Sequence, residues 1–251
     1  MMMRVVLTGC RVGEIYHGGY SQLAKVKKEF LIKKPTNISN KEAMVMGTAG
    51  FTALLCALAI NAREALLLGE KVNDVLVTGA SGGVGSVAVM ALTKMGYNVT
   101  AVTGKPESSE MLKKLGAKNI INRSDFEGEP KLLGKAIWDG VVDTVGGNIL
   151  AHAISQTKHS GIVAACGNAG GVKLNTNVMP FILRGVKLWG VDSIQVSMKR
   201  REFVWSQVEK LIDFKILEEL VHVINMDELI KIYPKILKGQ ISGRVVVDVN
   251  K

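Results

Sequence analysis

Val75-Leu76-Val77-Thr78 runs straight into Gly79-Ala80-Ser81-Gly82-Gly83-Val84-Gly85, and an apolar helical pattern follows. No other stretch constrains the fold as much. Its β-branched residues favour an extended segment, and its glycines favour a sharp turn. Val84, Val87, Ala88, Ala91, Leu92 and Met95 then recur at helical spacing. Glycine removes the Cβ that would hold a pyrophosphate away from the backbone. The first amides of the following helix face an anion placed there. The stretch therefore predicts a phosphate cradle opening a dinucleotide-binding strand–helix–strand unit, with a purely structural turn as the plainer alternative.

The rest of the chain supports that architecture. Candidate strands recur at Val75–Thr78, Asn98–Val102, Asn119–Ile121, Val141–Asp143, Ile162–Ala165 and Val186–Val191. Helical segments lie between them, one over Glu107–Leu115 with Pro106 at its start and Gly116 at its end. Such alternation with short connections predicts an α/β fold around a doubly wound parallel sheet, a Rossmann fold. The flanks differ. Residues 1–35 read as strands and turns, with glycines punctuating Val5–Leu7 and Tyr20–Val26. Residues 199–251 read as two helical segments, the second kinked or split by Pro234, and a last strand over Arg244–Val249. The chain thus divides into 1–45, a central domain 46–195, and 196–251, with the two flanks packing together as part of a second domain.

Composition narrows the function. Apolar residues make up 47% of the 251 positions, enough for a sizeable core, and aromatics only 5%. The net charge of +10 is scattered rather than gathered into a basic arm. It fits phosphate-bearing small molecules better than nucleic acid. Cys10, Cys56 and Cys166 form no disulfide framework, and with His17, His152, His159 and His222 they show no metal-ligand spacing. A reducing cytoplasm fits. Ala43–Ala62 carries no charge and is just long enough to span a bilayer, but its polar start and helical spacing favour a buried helix.

The second strand of the unit decides the cofactor. Folds that prefer NAD place an acidic residue at its end to bind the ribose hydroxyls. Here the strand ends Ala101-Val102-Thr103-Gly104-Lys105, with no carboxylate before Glu107. Thr103 and Lys105 can bond and neutralise a 2′-phosphate, so NADP(H) is favoured. The plainer alternative leaves Lys105 as a solvated surface lysine.

Several separated stretches resemble one family. They are Met46–Ala53, Thr78–Ser86, Asp143-Thr144-Val145-Gly146, Ala164-Ala165-Cys166-Gly167, Met179–Arg184 and Gly190-Val191-Asp192-Ser193. In order and spacing they are similar to the medium-chain dehydrogenase/reductase superfamily, in its zinc-free, quinone oxidoreductase-like branch of the acrylyl-CoA reductase type. The resemblance implies a Rossmann domain plus a GroES-like β-rich substrate domain, here partial and formed by the two flanks. It implies a cytoplasmic homodimer in which NADPH reduces the double bond of a CoA thioester, acryloyl-CoA to propionyl-CoA. A quinone or enone reductase is the alternative within the class. By position, Gly79, Ser81, Gly82, Gly83, Val84 and Gly85 would form the pyrophosphate loop. Thr103, Gly104 and Lys105 would hold the 2′-phosphate. Thr48, Cys166, Asn168 and Asp192 would lie along the nicotinamide, and Arg244 would reach the cofactor from the C-terminal flank. No metal ligand and no proton donor are assigned.

Each role has a structural alternative. Thr48 can bond amides at a helix start. Cys166 can be a small apolar wall, Asp143 can orient the loop after its strand, and Asp192 and Arg244 can be an ordinary surface pair. Two departures bear on specificity: Cys10-Arg11 and His17 stand where the family commonly has an aromatic or glycine and a tryptophan. The match also begins partway through the family's first domain, so relatives are expected to carry several tens of residues before the position of Met1. A gene start placed too late, a fragment and a genuine short form all fit, and a non-catalytic NADPH-binding protein is the corresponding alternative function.

Overall fold

The computed structural model describes residues 3–66 and 72–251; Met1 and Met2, which open the first expected segment, lie outside them. In chain order the elements are β1 (Val5–Val6), β2 (Ile32–Lys33), α1 (Asn40–Leu66), β3 (Asp74–Val77), α2 (Gly83–Lys94) and β4 (Asn98–Thr103). They continue with α3 (Ser109–Lys114), β5 (Asn119–Asn122), β6 (Trp138–Asp143), α4 (Gly147–Ser155), β7 (Thr157–Ala165), α5 (Met179–Arg184) and β8 (Lys187–Gly190). The last are α6 (Met198–Ser206), α7 (Val208–Leu211), α8 (Phe214–Glu218), β9 (Val221–Ile224), α9 (Leu229–Leu237) and β10 (Arg244–Val247).

Six strands form one parallel sheet in the order β5-β4-β3-β6-β7-β8. The expected doubly wound sheet is thus present, each strand within a few residues of its sequence-based bounds. Both faces are covered, and the side-chain alternation of β3 shows how. Val75 and Val77 join a cluster with α1, α2 and α3, while Leu76 joins Val102, Val141, Val163 and α4 on the opposite face. Strand order reverses between β3 and β6, which start connections running in opposite directions. A crevice opens there beyond the strand ends.

α1 is a core helix, mostly buried. Its entry is a capping box: the Ser39 hydroxyl accepts from the Glu42 amide, and the Glu42 carboxylate accepts from the Ser39 amide. It breaks once, at Gly47, where φ is 46° and ψ −152°.

The flanks differ from expectation in three ways. Tyr20–Val26 forms no strand. Nothing among the described residues pairs with it, and an unpaired extended segment has no ladder to hold it. The tail holds four helices and an extra strand, β9. Ile212 turns extended after α7, and the Asp213 carboxylate caps the Lys215 amide to start α8. α9 runs through Pro234 without splitting.

The flanking strands pair within each flank. β1 is antiparallel to β2, and β9 is parallel to β10. Val204, Trp205, Val208, Ile212 and Leu217 of the tail pack into the same core as α1 and α2.

Candidate cofactor-binding site

The turn after β3 is built as the sequence requires. A Cβ on Gly85 would stand 2.3 Å from the Gly79 carbonyl oxygen and 2.6 Å from the Ala80 Cα. Only glycine lets α2 start so close to the strand that feeds it. α2 begins after Gly82 without a side-chain cap. Its first amides have no partner within the helix and point outward from a positive helix end.

Asp143, at the end of β6, fixes the switch point. It is fully buried, accepting from Thr78 Oγ1 at 2.6 Å and from the Gly146 amide at 2.8 Å. Thr144 Oγ1 in turn donates to the Thr78 carbonyl at 2.9 Å. Burial pushes the Asp143 carboxyl above the usual carboxylate range, against these hydrogen bonds. Asp143 thus ties two strand ends together and orients the loop after its strand.

A cleft of about 630 Å³ opens beyond β3 and β4. Gly79, Ser81, Gly82 and Gly83 form its floor, and Thr103, Gly104 and Lys105 close one end. Residues 236–245 supply the opposite wall. No acidic residue lines it, while Lys105, Arg123, Lys238 and Arg244 do. Ser81 Oγ lies 3.0 Å from Thr103 Oγ1, which also accepts from the Lys105 amide. Lys105 Nζ donates to the Ile241 carbonyl and to Ser242 Oγ, at 3.1 and 3.2 Å, so it bridges the two walls.

Arg123 is the residue the sequence reading missed. It follows β5, and β5 pairs with β4 so that Asn122 sits opposite Thr103. That register sets Arg123 against Gly104, where a Cβ would come within 3.1 Å of the guanidinium. The signal was strand order: in a parallel sheet the residue after one strand neighbours the residue after the next.

Arg244 does not pair with Asp192. Its Nε donates to the Val45 carbonyl at 2.8 Å and its Nη2 to the Met46 carbonyl at 3.4 Å. Burial lowers the guanidinium from its usual value. Its Nη1 lies over Gly83, at the floor of the cleft. The backbone seats it there, because the Gly243 amide donates to the Ser81 carbonyl.

Cys166, Asn168 and Asp192 line a second, shallower cleft of about 540 Å³ beyond β7 and β8. The Cys166 thiol donates to the Asp143 carbonyl at 3.4 Å. It also contacts the Cys56 thiol, and that contact, with burial, pushes Cys56 well above its usual value. Asp192 Oδ1 accepts from the Ile194 and Gln195 amides. Thr48, Val84 and Gly85 line neither cleft. Thr48 is exposed at the restart of α1, and its carbonyl accepts from Thr52 Oγ1. His17 lies apart from both, in a small apolar pocket with Tyr16 and Phe30.

Comparison with known proteins agrees with this geometry. Residues 83–213 match the zinc-binding dehydrogenase family model. The acrylyl-CoA reductase AcuI of Ruegeria pomeroyi is 45% identical over 98% of this chain and 74% of its own length. The crystal structure of the YhdH oxidoreductase of Salmonella enterica with NADP superposes with a TM-score of 0.93, at 42% identity, over 98% of this chain and 75% of that one. That of Bacillus subtilis YhfP with NAD bound gives 0.91 at 41% identity, over 98% and 74%. The family model's description names zinc. Among the described residues, no group of three or more His, Cys, Asp or Glu is placed to hold a metal ion, so these residues do not fit a zinc site. The chain belongs to the medium-chain dehydrogenase/reductase superfamily, in the quinone oxidoreductase-like branch that holds the acrylyl-CoA reductases.

Proposed function

We propose that the chain is an NADPH-dependent reductase of an activated carbon–carbon double bond, with a short unsaturated CoA thioester, acryloyl-CoA first, as its substrate. One observation carries the cofactor half: a dinucleotide cleft at the switch point lined by four basic residues and no acidic one. A ribose 2′-phosphate needs cations, and a carboxylate there would repel it. The kinship with AcuI supports the substrate half.

The chain's own residues divide the work. The open amides at the start of α2 and the Arg244 guanidinium hold the pyrophosphate between them. Thr103, Gly104, Lys105 and Arg123 hold the 2′-phosphate. Cys166, Asn168 and Asp192, in the second cleft, would hold the nicotinamide. Bound NADPH supplies the hydride. The protein's part is to fix the distance and facing of the double bond. Asn168, exposed at the lip, offers an amide donor to a thioester oxygen as negative charge builds there.

Loss of NADPH absorbance with acryloyl-CoA, quinones and simple enones as acceptors tests this. The expected result is fastest turnover with the CoA ester; a CoA ester reduced no faster than a bare enone overturns it. The second reading, a quinone reductase, is favoured by the 42% identity to a putative quinone oxidoreductase, YhfP, and predicts the reverse order.

We also propose a cytoplasmic homodimer. β8 is an edge strand whose Leu188 and Trp189 are exposed, a surface suited to pairing with a second copy. Sedimentation of the Trp189→Glu variant as a monomer supports this, and an unchanged mass overturns it.

A further inference from the structure

α6 reads as a solvated charge run, Lys199-Arg200-Arg201-Glu202, yet Arg201 is only 1% exposed. Val204 and Trp205, one turn on, share its buried face. A charge on the apolar face of a helix is costly, and a methionine would fill the same volume with no charge to desolvate. No carboxylate forms an ion pair with it among the described residues. Packing alone therefore does not explain an arginine here.

Its hydrogen bonds do. Nη1 donates to the Thr8 carbonyl at 2.8 Å and to Thr8 Oγ1 at 3.0 Å. Nη2 donates to the Ser193 and Ile194 carbonyls at 3.1 and 3.2 Å. The guanidinium carbon lies 4.8 Å from the centre of the Phe51 ring. One flat, forked cation thus joins three segments: the end of β1, the turn after Val191, and the stretch of α1 just past Thr48. A Cβ on Gly9 would stand 2.9 Å from the Ser193 carbonyl and 3.0 Å from Arg201 Nη2, so the first segment is drawn in as far as a chain can come.

The middle segment is the one that matters. Asp192, which lines the second cleft, immediately precedes the two carbonyls that Arg201 holds. Its carboxylate accepts the amides of the same turn. Arg201 therefore satisfies the turn's carbonyls from behind while Asp192 satisfies its amides from in front. Neither arrangement touches the 630 Å³ cleft, whose lining includes no residue of this turn or of α6.

We propose that Arg201 is the positioning residue of the nicotinamide end: its fork sets the Asp192–Ile194 lip, and through that lip the nicotinamide's contribution to binding and the geometry of hydride transfer, leaving the phosphate end unchanged. A lysine keeps the charge but not the planar fork, so it substitutes only in part. The proposal rests on the NADPH reading above.

The test compares NADPH with 2′-phospho-ADP-ribose, which lacks only the nicotinamide. Dissociation constants for both are measured by calorimetry on the wild-type chain and the Arg201→Met and Arg201→Lys variants, beside thermal midpoints. Arg201→Met is expected to weaken NADPH about tenfold or more while the fragment changes less than about twofold. Arg201→Lys is expected to show the same pattern at smaller size. At saturating NADPH, kcat per binding site is expected to fall at least about thirtyfold. Equal weakening of both ligands assigns Arg201 a purely structural role and overturns the proposal, as does an unchanged ratio. If Arg201→Met does not fold, the ratio in Arg201→Lys decides. A wild-type chain that binds neither ligand overturns the NADPH reading itself and this proposal with it.

Discussion

The two ends of the groove are built on different plans. The larger cleft, which we assign to the phosphates, is mostly backbone and sheet order: a glycine turn, the first amides of α2, and the neighbouring ends of β4 and β5. The second cleft, which we assign to the nicotinamide, is side chains on loops, Cys166, Asn168 and Asp192, with a buried arginine and the N-terminal flank behind it. Backbone cradles are set by the fold and tolerate little change of shape. Loop-borne lips depend on distant supports, and there small substitutions alter geometry without unfolding the protein.

The largest effect expected from that contrast is at Gly85. Gly85→Ala puts a methyl 2.3 Å from a backbone oxygen. We expect about 3 kcal/mol of destabilisation and a loss of NADPH affinity of roughly a hundredfold. Urea unfolding and calorimetry would show it, and a stable variant with ordinary affinity would break the claim that this end is backbone-set.

Asp143 stands where the two ends meet. Asp143→Asn leaves one of two buried donors, Thr78 or Gly146, without its acceptor, a cost of about 1–3 kcal/mol near neutral pH. The pH dependence has a definite sign. Burial raises this carboxyl in the folded chain, so the folded state holds its proton more tightly than the unfolded state. Its contribution to stability is complete below the unfolded value of about 3.9 and declines as pH rises through the raised folded value. Urea midpoints from pH 4 upward should show that decline in the wild type and not in the variant.

An effect of similar size, on affinity rather than on stability, separates the cofactors. Arg123→Ala and Lys105→Ala each remove a charge-assisted contact worth about 1.5–3 kcal/mol, so NADPH should weaken about tenfold to a hundredfold and NADH far less. Equal losses for both would remove the 2′-phosphate assignment. Smallest of all, raising salt from about 50 to 200 mM should narrow the NADPH-to-NADH affinity ratio by roughly threefold, because only the extra phosphate draws on those screened cations.

What the sequence showed follows the same division. The sheet, the glycine turn and the acid-free end of β4 were legible because each is written in consecutive residues. Arg123 was not, because its place beside Gly104 depends on which strand lies next to which. Asp192 and Asn168 came from family resemblance rather than from any local pattern. Arg201 was hidden inside a run of charges that looks solvated, and only the packing of α6 on β2 and α1 reveals it. Tyr20–Val26 misled for the opposite reason: its pattern suits a strand, but a strand exists only where another pairs with it.

The wall of the cleft formed by residues 236–245 has a consequence for the order of events in the cell. The glycine turn leaves the ribosome well over a hundred residues before Gly243 and Arg244 arrive to seat on Ser81 and Gly83. The strands and the glycine turn are therefore made before the cleft's opposite wall and the Arg244 guanidinium exist. A chain stalled short of Gly243 has the floor of the cleft but neither that cation nor the backbone contact that seats it.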